Sequence, residues 1–292
     1  MAKSERSAKT IAFQGVHGAY SDLACSVVYP DWKTLPCETF EDAFAAVTEK
    51  RAELAMIPID NSVAGRVADI HHLMPDSGLH IIGEHFQRIS HQLLAPKGAT
   101  FDSIKTVHSH VHALSQCRKL IRELGLKAIV HADTAGAAAE LAERNDPTEA
   151  AIASTLAAKI YGLKILKTNI EDAAHNTTRF IILSREAVDP RAKNGPVMTS
   201  LLFQVRNIPA ALYKAMGGFA TNGVNMTKLE SYIRAGSFDV SMFYADIEGH
   251  PDEPAVKLAL DELRFFSDEF RVMGVYPAHS FRYKARAATK RK

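Results

Sequence analysis

IAFQGVHGAYS, residues 11–21, is the stretch on which the fold turns. Ile11–Phe13 is an apolar run of strand type. Glycines follow at 15 and 18, and a helix is expected next. The same alternation continues along the chain. Leu54–Ile57, Leu79–Phe86, Gln92–Ala95, Ile104–His108, Ala128–His131 and Phe180–Leu183 read as strands. Phe40, Ala43, Phe44 and Val47 recur at i, i+3, i+4, i+7, the buried face of a helix, with Thr39 placed to cap it and Asp42 three residues on. Leu114, Cys117, Ile121 and Leu124 repeat the spacing and Gly125 suits the stop. The Ala-rich stretches 134–143 and 150–160 are expected to be helical. Strands alternating with helices imply α/β layers, here two small lobes, crossed near 88–92 and again near 176–180.

Residues 187–196, AVDPRAKNGP, read as a linker. Beyond it the rhythm changes. Thr199–Val205 alternates like a strand. Pro209 opens a helix bearing Leu212, Met216 and Phe219. Met226–Ile233 and Phe238–Ile247 flank a hairpin signal at Ala235-Gly236-Ser237. Pro254 opens a helix with Val256, Leu260 and Leu263, and Arg271–Tyr276 is a last strand. The order is βαββαβ, a ferredoxin-like unit whose edge strands commonly pair, so it is a candidate dimerisation module.

The chain has 292 residues, 47% of them hydrophobic and 23% charged, a globular balance with room for two domains. Its net charge of +2 gives no basic face for nucleic acid. The tails hold nine of the 35 basic residues, in 1–9 and 282–292, against one of the 33 acidic ones. Both ends are therefore expected to be flexible, and the body between them is acidic. No apolar run reaches membrane-spanning length, no signal-peptide core precedes Thr10, and three cysteines at 25, 37 and 117 make no disulfide or zinc framework. A cytoplasmic protein with reduced thiols is expected. The 13 histidines lack partners at metal-ligand spacing.

Polar clusters sit where strands end. Gly15–Ser21 is either a cradle of free N–H groups for an anion or an ordinary strand–helix turn. Pro58-Ile59-Asp60-Asn61-Ser62 with Gly65 is expected to open a helix, and Asn61 and Ser62 either bind a carboxylate or cap it. Ser109-His110 and Asp133-Thr134 repeat the design. Four such junctions would line one cleft with helix N-termini, which suits a ligand with two carboxylates. Asn176-Thr177-Thr178-Arg179-Phe180 brings an amide, hydroxyls and a guanidinium together; Arg179 is either a carboxylate fork or a strand-edge ion pair.

Taken in order, GVHGAYS (15–21), PIDNSVAG (58–65), SHVHALSQC (109–117), DTAGAA (133–138), AAIAS (150–154), NTTRF (176–180) and IPAALYKAMGGFATNGVNMTKLES (208–231) resemble the prephenate dehydratases that carry a C-terminal ACT regulatory domain. The resemblance spans about residues 10–282. It implies two periplasmic-binding-protein-like lobes (10–186), the linker 187–196 and an ACT domain (197–282). It implies decarboxylating dehydration of prephenate to phenylpyruvate, with no metal or organic cofactor. Thr178 would donate to the departing hydroxyl, and Arg179 would bind a carboxylate or orient the loop. Ser21, Asn61, Ser62, Gly65, Ser109, His110, Thr134, Asn176 and Phe180 would contribute the substrate site, with Phe180 there for packing. His17, His110, His112 and His175 are alternative donors. Ala211, Leu212, Asn222, Gly223, Val224, Asn225, Glu230 and Ser231 would line a phenylalanine effector pocket between paired ACT domains, giving feedback inhibition in a homodimer or homotetramer.

The chain departs from the family pattern at Asp60, where Glu is usual, and at Val111 and His112, where Pro and Gln are usual. In the ACT part it has Pro209-Ala210-Ala211-Leu212 for a Gly-Ala-Leu motif and Tyr232-Ile233 for Arg-Pro. No chorismate mutase segment precedes residue 10, so a monofunctional enzyme is expected. An arogenate dehydratase is the near alternative, which an extra acceptor in the cleft would favour. A non-catalytic solute-binding or amino-acid-sensing protein is the distant one.

Overall fold

The computed structural model describes residues 9–66, 70–173, 175–190, 195–233 and 241–283. The chain divides into two compact units. One comprises the described residues within Met1–Ala68 and His85–Phe180; the other comprises those within Asp69–Glu84 and Ile181–Lys292.

The first sheet is built on β1 (Thr10–Gln14), which pairs in parallel with β2 (Lys33–Cys37) on one side and β3 (Leu54–Asn61) on the other. With β5 (His80–Arg88) and β11 (Thr177–Ser184) its order is β2-β1-β3-β11-β5. Helix α1 (Tyr20–Val28) follows the glycine loop, and α2 (Phe40–Thr48) packs its Ala43, Phe44 and Val47 face inward. Thr39 caps α2 in a full capping box: its side chain accepts from the Asp42 N–H at 3.0 Å and the Asp42 carboxylate accepts in return. The expected helix after Pro58 does not form. β3 instead runs on to Asn61, turns through 62–64 and pairs back with β4 (Gly65–Arg66).

The second sheet has the order β10-β6-β9-β7-β8, from β6 (Gln92–Ala95), β7 (Thr106–His110), β8 (Lys127–His131), β9 (Glu149–Ala153) and β10 (Lys164–Lys167). The Ala150–Ile160 helix of the sequence reading is split. Residues 149–153 are β9, Ser154 caps, and only α7 (Thr155–Tyr161) is helical. Ala150–Ala153 are fully buried, since β9 lies between β6 and β7 with helices against the sheet; burial outweighs alanine's helix propensity there. The expected 114–124 helix is likewise broken at Cys117, into α4 (Val111–Gln116) and α5 (Arg118–Glu123). Helix α6 (Thr134–Arg144) forms as read, capped by Asp133, whose carboxylate accepts from Gly136 N–H at 2.6 Å.

In the second unit, β12 (Val197–Val205), α8 (Ala211–Thr221), β13 (Met226–Ile233), β14 (Ser241–Glu248), α9 (Pro254–Phe265) and β15 (Ser267–Pro277) give the βαββαβ order, with an antiparallel sheet β13-β14-β12-β15. Both helices cover one face, where Leu201, Phe203, Phe219, Phe243, Leu260 and Leu263 make the core. Pro209 does not open α8: Ala210 is its cap, in the left-handed region at φ 61°. The 235–237 hairpin, residues 191–194 of the linker and most of both tails lie outside the described residues. Among the described residues no helix is long and apolar enough to cross a membrane.

Candidate active site

A cleft of about 450 Å³ opens in the first unit where the carboxyl ends of β1, β3, β7 and β8 face β11. The Gly15–Ser21 loop does not offer the free amides read from its glycines. Gly15 N–H donates to Cys37 O, Ala19 N–H to Val16 O, and Gly18 N–H to the Asp22 carboxylate at 2.9 Å. Gly18 serves close approach instead. Its φ is +88°, its carbonyl accepts from Ser154 Oγ at 2.6 Å, and a Cβ there would lie 2.9 Å from Ala157 Cα. The first turn of α1 remains on the cleft through Tyr20 and Ser21.

Of the residues expected at the substrate, Ser21, Asn61, His110, Thr134, Asn176, Thr178 and Phe180 line the cleft. Four are absent from its wall. Ser109 is fully buried and its hydroxyl donates to Ile152 O at 2.6 Å, tying β7 to β9. Ser62 donates to His175 O and accepts from Thr177 N–H. Gly65, at φ +78°, begins β4 and pairs with Asn61. Arg179 is buried and pairs with Asp60 at 3.4 Å. Strand alternation explains that last displacement: Thr178 and Phe180 face the cleft, so Arg179 faces the other way. The cations on the cleft and the adjoining cavity of about 330 Å³ are instead Arg66 and Arg118.

Asn61 organises the site. Its Oδ1 accepts from the N–H groups of Val63 and Ala64, at 2.9 and 2.8 Å. Backbone amides can only donate, so the carboxamide has one orientation, and Nδ2 must donate outward. It does so to Asn176 Oδ1 at 2.8 Å and Thr178 Oγ1 at 2.9 Å. Asn176 is thereby oriented too, and its Nδ2 donates to Gln116 Oε1 at 2.7 Å. His91 Nε2 lies 3.0 Å from the same oxygen, and His91 Nδ1 lies 2.8 Å from the Tyr20 hydroxyl. Sequence reasoning missed Tyr20, His91 and Gln116. Tyr20 and Gln116 lay inside quoted motifs, GVHGAYS and SHVHALSQC, whereas His91 lay in none. Burial holds the Tyr20 phenol well above its ordinary pKa, with Cys117 and Glu171 adding, so it stays a donor. Burial lowers His110, and nearby His112 lowers it further.

The family model described as "Prephenate dehydratase" matches residues 11–188. The chain belongs to the prephenate dehydratase family. Within that family it is 54% identical over 276 residues to the bifunctional N-acyl-homoserine lactone acylase/prephenate dehydratase of Komagataeibacter europaeus, covering 94% of this chain and 98% of that protein. It is 39% identical to the chloroplastic arogenate dehydratase/prephenate dehydratase 2 of Arabidopsis thaliana, over 91% of this chain and 72% of that one. The crystal structure of the Arthrobacter aurescens prephenate dehydratase in complex with L-Phe superposes with a TM-score of 0.84 at 31% identity, over 92% of this chain and 90% of that one.

Proposed function

We propose that this prephenate dehydratase converts prephenate to phenylpyruvate, carbon dioxide and water, with Thr178 as the donor to the departing hydroxyl. The observation that carries the role is the Asn61 Nδ2 to Thr178 Oγ1 bond. Thr178 accepts there, its own hydrogen has no protein acceptor among the described residues, and it lines the cleft. As the ring carboxylate leaves as carbon dioxide, its bonding electrons pass through the ring diene and expel the C4 hydroxyl as a hydroxide-like oxygen, which becomes water with a proton from solvent. Aromatisation drives the step. A threonine is too weak an acid to protonate outright. A hydrogen bond strengthened by donation from Asn61 stabilises the charge growing on the leaving oxygen. Arg66, Arg118 and the first turn of α1 are the anchors for the two carboxylates. Arg179 acts on the loop through Asp60 rather than on substrate. Phenylpyruvate formation from prephenate by wild type, its loss in Thr178→Val and its survival in Thr178→Ser test the reading. Near-wild-type turnover by the valine variant would refute it.

Arogenate carries an ammonium where prephenate has a keto group. Asp172, on the cavity that shares Gln116 and Asn176 with the cleft, supplies the acceptor that such a substrate needs. Side-by-side assays with Asp172→Asn distinguish the two: arogenate use falls selectively if Asp172 meets the amine. A second reading, hydrolysis of N-acyl-homoserine lactones, is favoured by the 54% identical bifunctional relative. Release of free fatty acid from such a lactone, measured beside the dehydratase assay, decides it.

The regulatory reading is part of the same proposal. The βαββαβ unit is taken as an ACT domain that binds phenylalanine in a homo-oligomer, in a cytoplasmic enzyme. Ala211 and Leu212 begin α8, whereas Asn222 caps its other end, with Gly223, Val224 and Asn225 beyond. Eleven residues of helix separate the two groups by about 16 Å. One effector pocket using both therefore needs a second copy of the chain. Glu230 is engaged by Lys228 Nζ at 2.7 Å and Ser231 is exposed on β13, an edge strand among the described residues. Inhibition by phenylalanine together with a dimer or tetramer in light scattering supports this; an active monomer indifferent to phenylalanine removes it.

A further inference from the structure

We infer that His91 is a positioning residue: with a proton held on Nε2, it fixes the Gln116 carboxamide so that the oxygen is consumed inside the hydrogen-bond chain and the NH₂ group is presented to the cleft. This deepens the dehydratase reading and rests on it for its kinetic consequence alone.

The argument follows hydrogen-bond direction. The Val63 and Ala64 amides fix Asn61, Asn61 fixes Asn176, and Asn176 Nδ2 requires an acceptor at Gln116, so the atom there is oxygen. That oxygen can only accept, and His91 Nε2 at 3.0 Å must therefore carry hydrogen. The opposite edge of the ring is served by Tyr20, whose hydroxyl is 2.8 Å from Nδ1 and 3.0 Å from Ser90 O. When Nδ1 is a lone pair, Tyr20 donates to it. When Nδ1 is protonated, Tyr20 accepts from it and donates to Ser90 O. Either state keeps hydrogen on Nε2. His91 is buried, and its backbone N–H donates to the Glu171 carboxylate at 2.9 Å, which pins the ring's origin. Arg88 lies 3.6 Å from the same carboxylate.

The consequence falls on Gln116. Its Oε1 receives both bonds, and its Nε2 has no protein acceptor among the described residues, while the residue lines the cleft and the adjoining cavity. A bare Nε2 on His91 would repel the oxygen. The amide would then turn, set its NH₂ against the Asn176 NH₂, and show a carbonyl to an anionic substrate. Two donors, Thr178 O–H and Gln116 N–H, thus enter the cleft from a single chain of bonds that begins at a turn and ends at Tyr20.

Two measurements test this. Nitrogen-15 NMR of the wild-type protein selectively labelled at histidine, with His91 assigned by its loss in a variant, should show protonated Nε2 at every pH from about 6 to 8. An unprotonated Nε2 overturns the proposal, and this arm needs no substrate. Kinetically, His91→Gln returns an N–H donor near the Nε2 position and should keep kcat/KM within about fivefold of wild type. His91→Leu, of similar size without the donor, should lose about 10- to 100-fold at matched thermal stability. Equal activity of the leucine variant and wild type, or equal loss in both variants, overturns it. If wild type turns over neither prephenate nor arogenate, the functional reading fails while the NMR result still decides His91.

Discussion

Replacing Asn61 by aspartate changes one atom type at the centre of the site. Aspartate keeps the oxygen that accepts from Val63 and Ala64 and exchanges Nδ2 for a second acceptor. Two donations disappear, those to Asn176 Oδ1 at 2.8 Å and Thr178 Oγ1 at 2.9 Å. Thr178 then turns its hydrogen toward the introduced carboxylate and away from the cleft. The loss of a positioned donor predicts a fall in kcat of roughly 10²–10⁴. A new negative charge beside a dianionic substrate also raises KM. Two lost hydrogen bonds predict a stability cost of about 2 kcal/mol, small enough to leave the protein folded at 25 °C. The assay is phenylpyruvate formation under steady state, with urea unfolding alongside. The decisive form is a double-mutant cycle with Thr178→Val. If Asn61 acts through Thr178, the double variant should be about as slow as the worse single one. Full additivity of the two kcat losses, or an Asn61→Asp enzyme with wild-type kcat, would refute the reasoning.

Gly18→Ala should destabilise by about 1–3 kcal/mol in urea unfolding, from a left-handed φ of +88° and a Cβ 2.9 Å from Ala157 Cα. Burial, reinforced by Asp22 at Cys25 and by Asp172 at Cys117, holds both thiols far above their ordinary range, and burial also raises Cys37. A thiol reagent at about pH 8 should therefore titrate no cysteine in the native protein and all three in urea. His131 is lowered by its partial burial but raised overall by hydrogen bonds to the Glu140 carboxylate and the Asp133 backbone. A group raised on folding stabilises below its unfolded pKa and loses that contribution as pH rises through the folded value. The stability gap between wild type and His131→Asn should shrink between about pH 5.5 and 8.

What the sequence disclosed was local. The Phe40–Val47 face, the Thr39 cap and the Asp133–Thr134 helix start are each contained in one turn of chain, and each formed as read. Ala150–Ala153 misled because composition reports propensity, whereas position between two strands decides conformation. Residues 58–62 misled because a polar strand end and a helix cap use the same residue types. At the site, Thr178, Asn61 and Asn176 were legible because they lie in motifs. Their connection to His91 and Tyr20 was not, since Asn61 and Asn176 stand 115 residues apart and His91 meets Gln116 across 25. Of the two readings of Arg179, the ion pair is the one that forms, with Asp60, because the period of two sends Thr178 and Arg179 to opposite faces.

The turn at Val63 and Ala64 has a thermodynamic consequence. An isolated carboxamide or imidazole has two orientations of nearly equal energy, and a row of such polar groups would present substrate with a mixture of dipole patterns. Two backbone amides at one end remove that degeneracy for the whole row. The cleft therefore meets its ligand with its dipoles already aligned, and little reorientation opposes the passage from bound substrate to transition state.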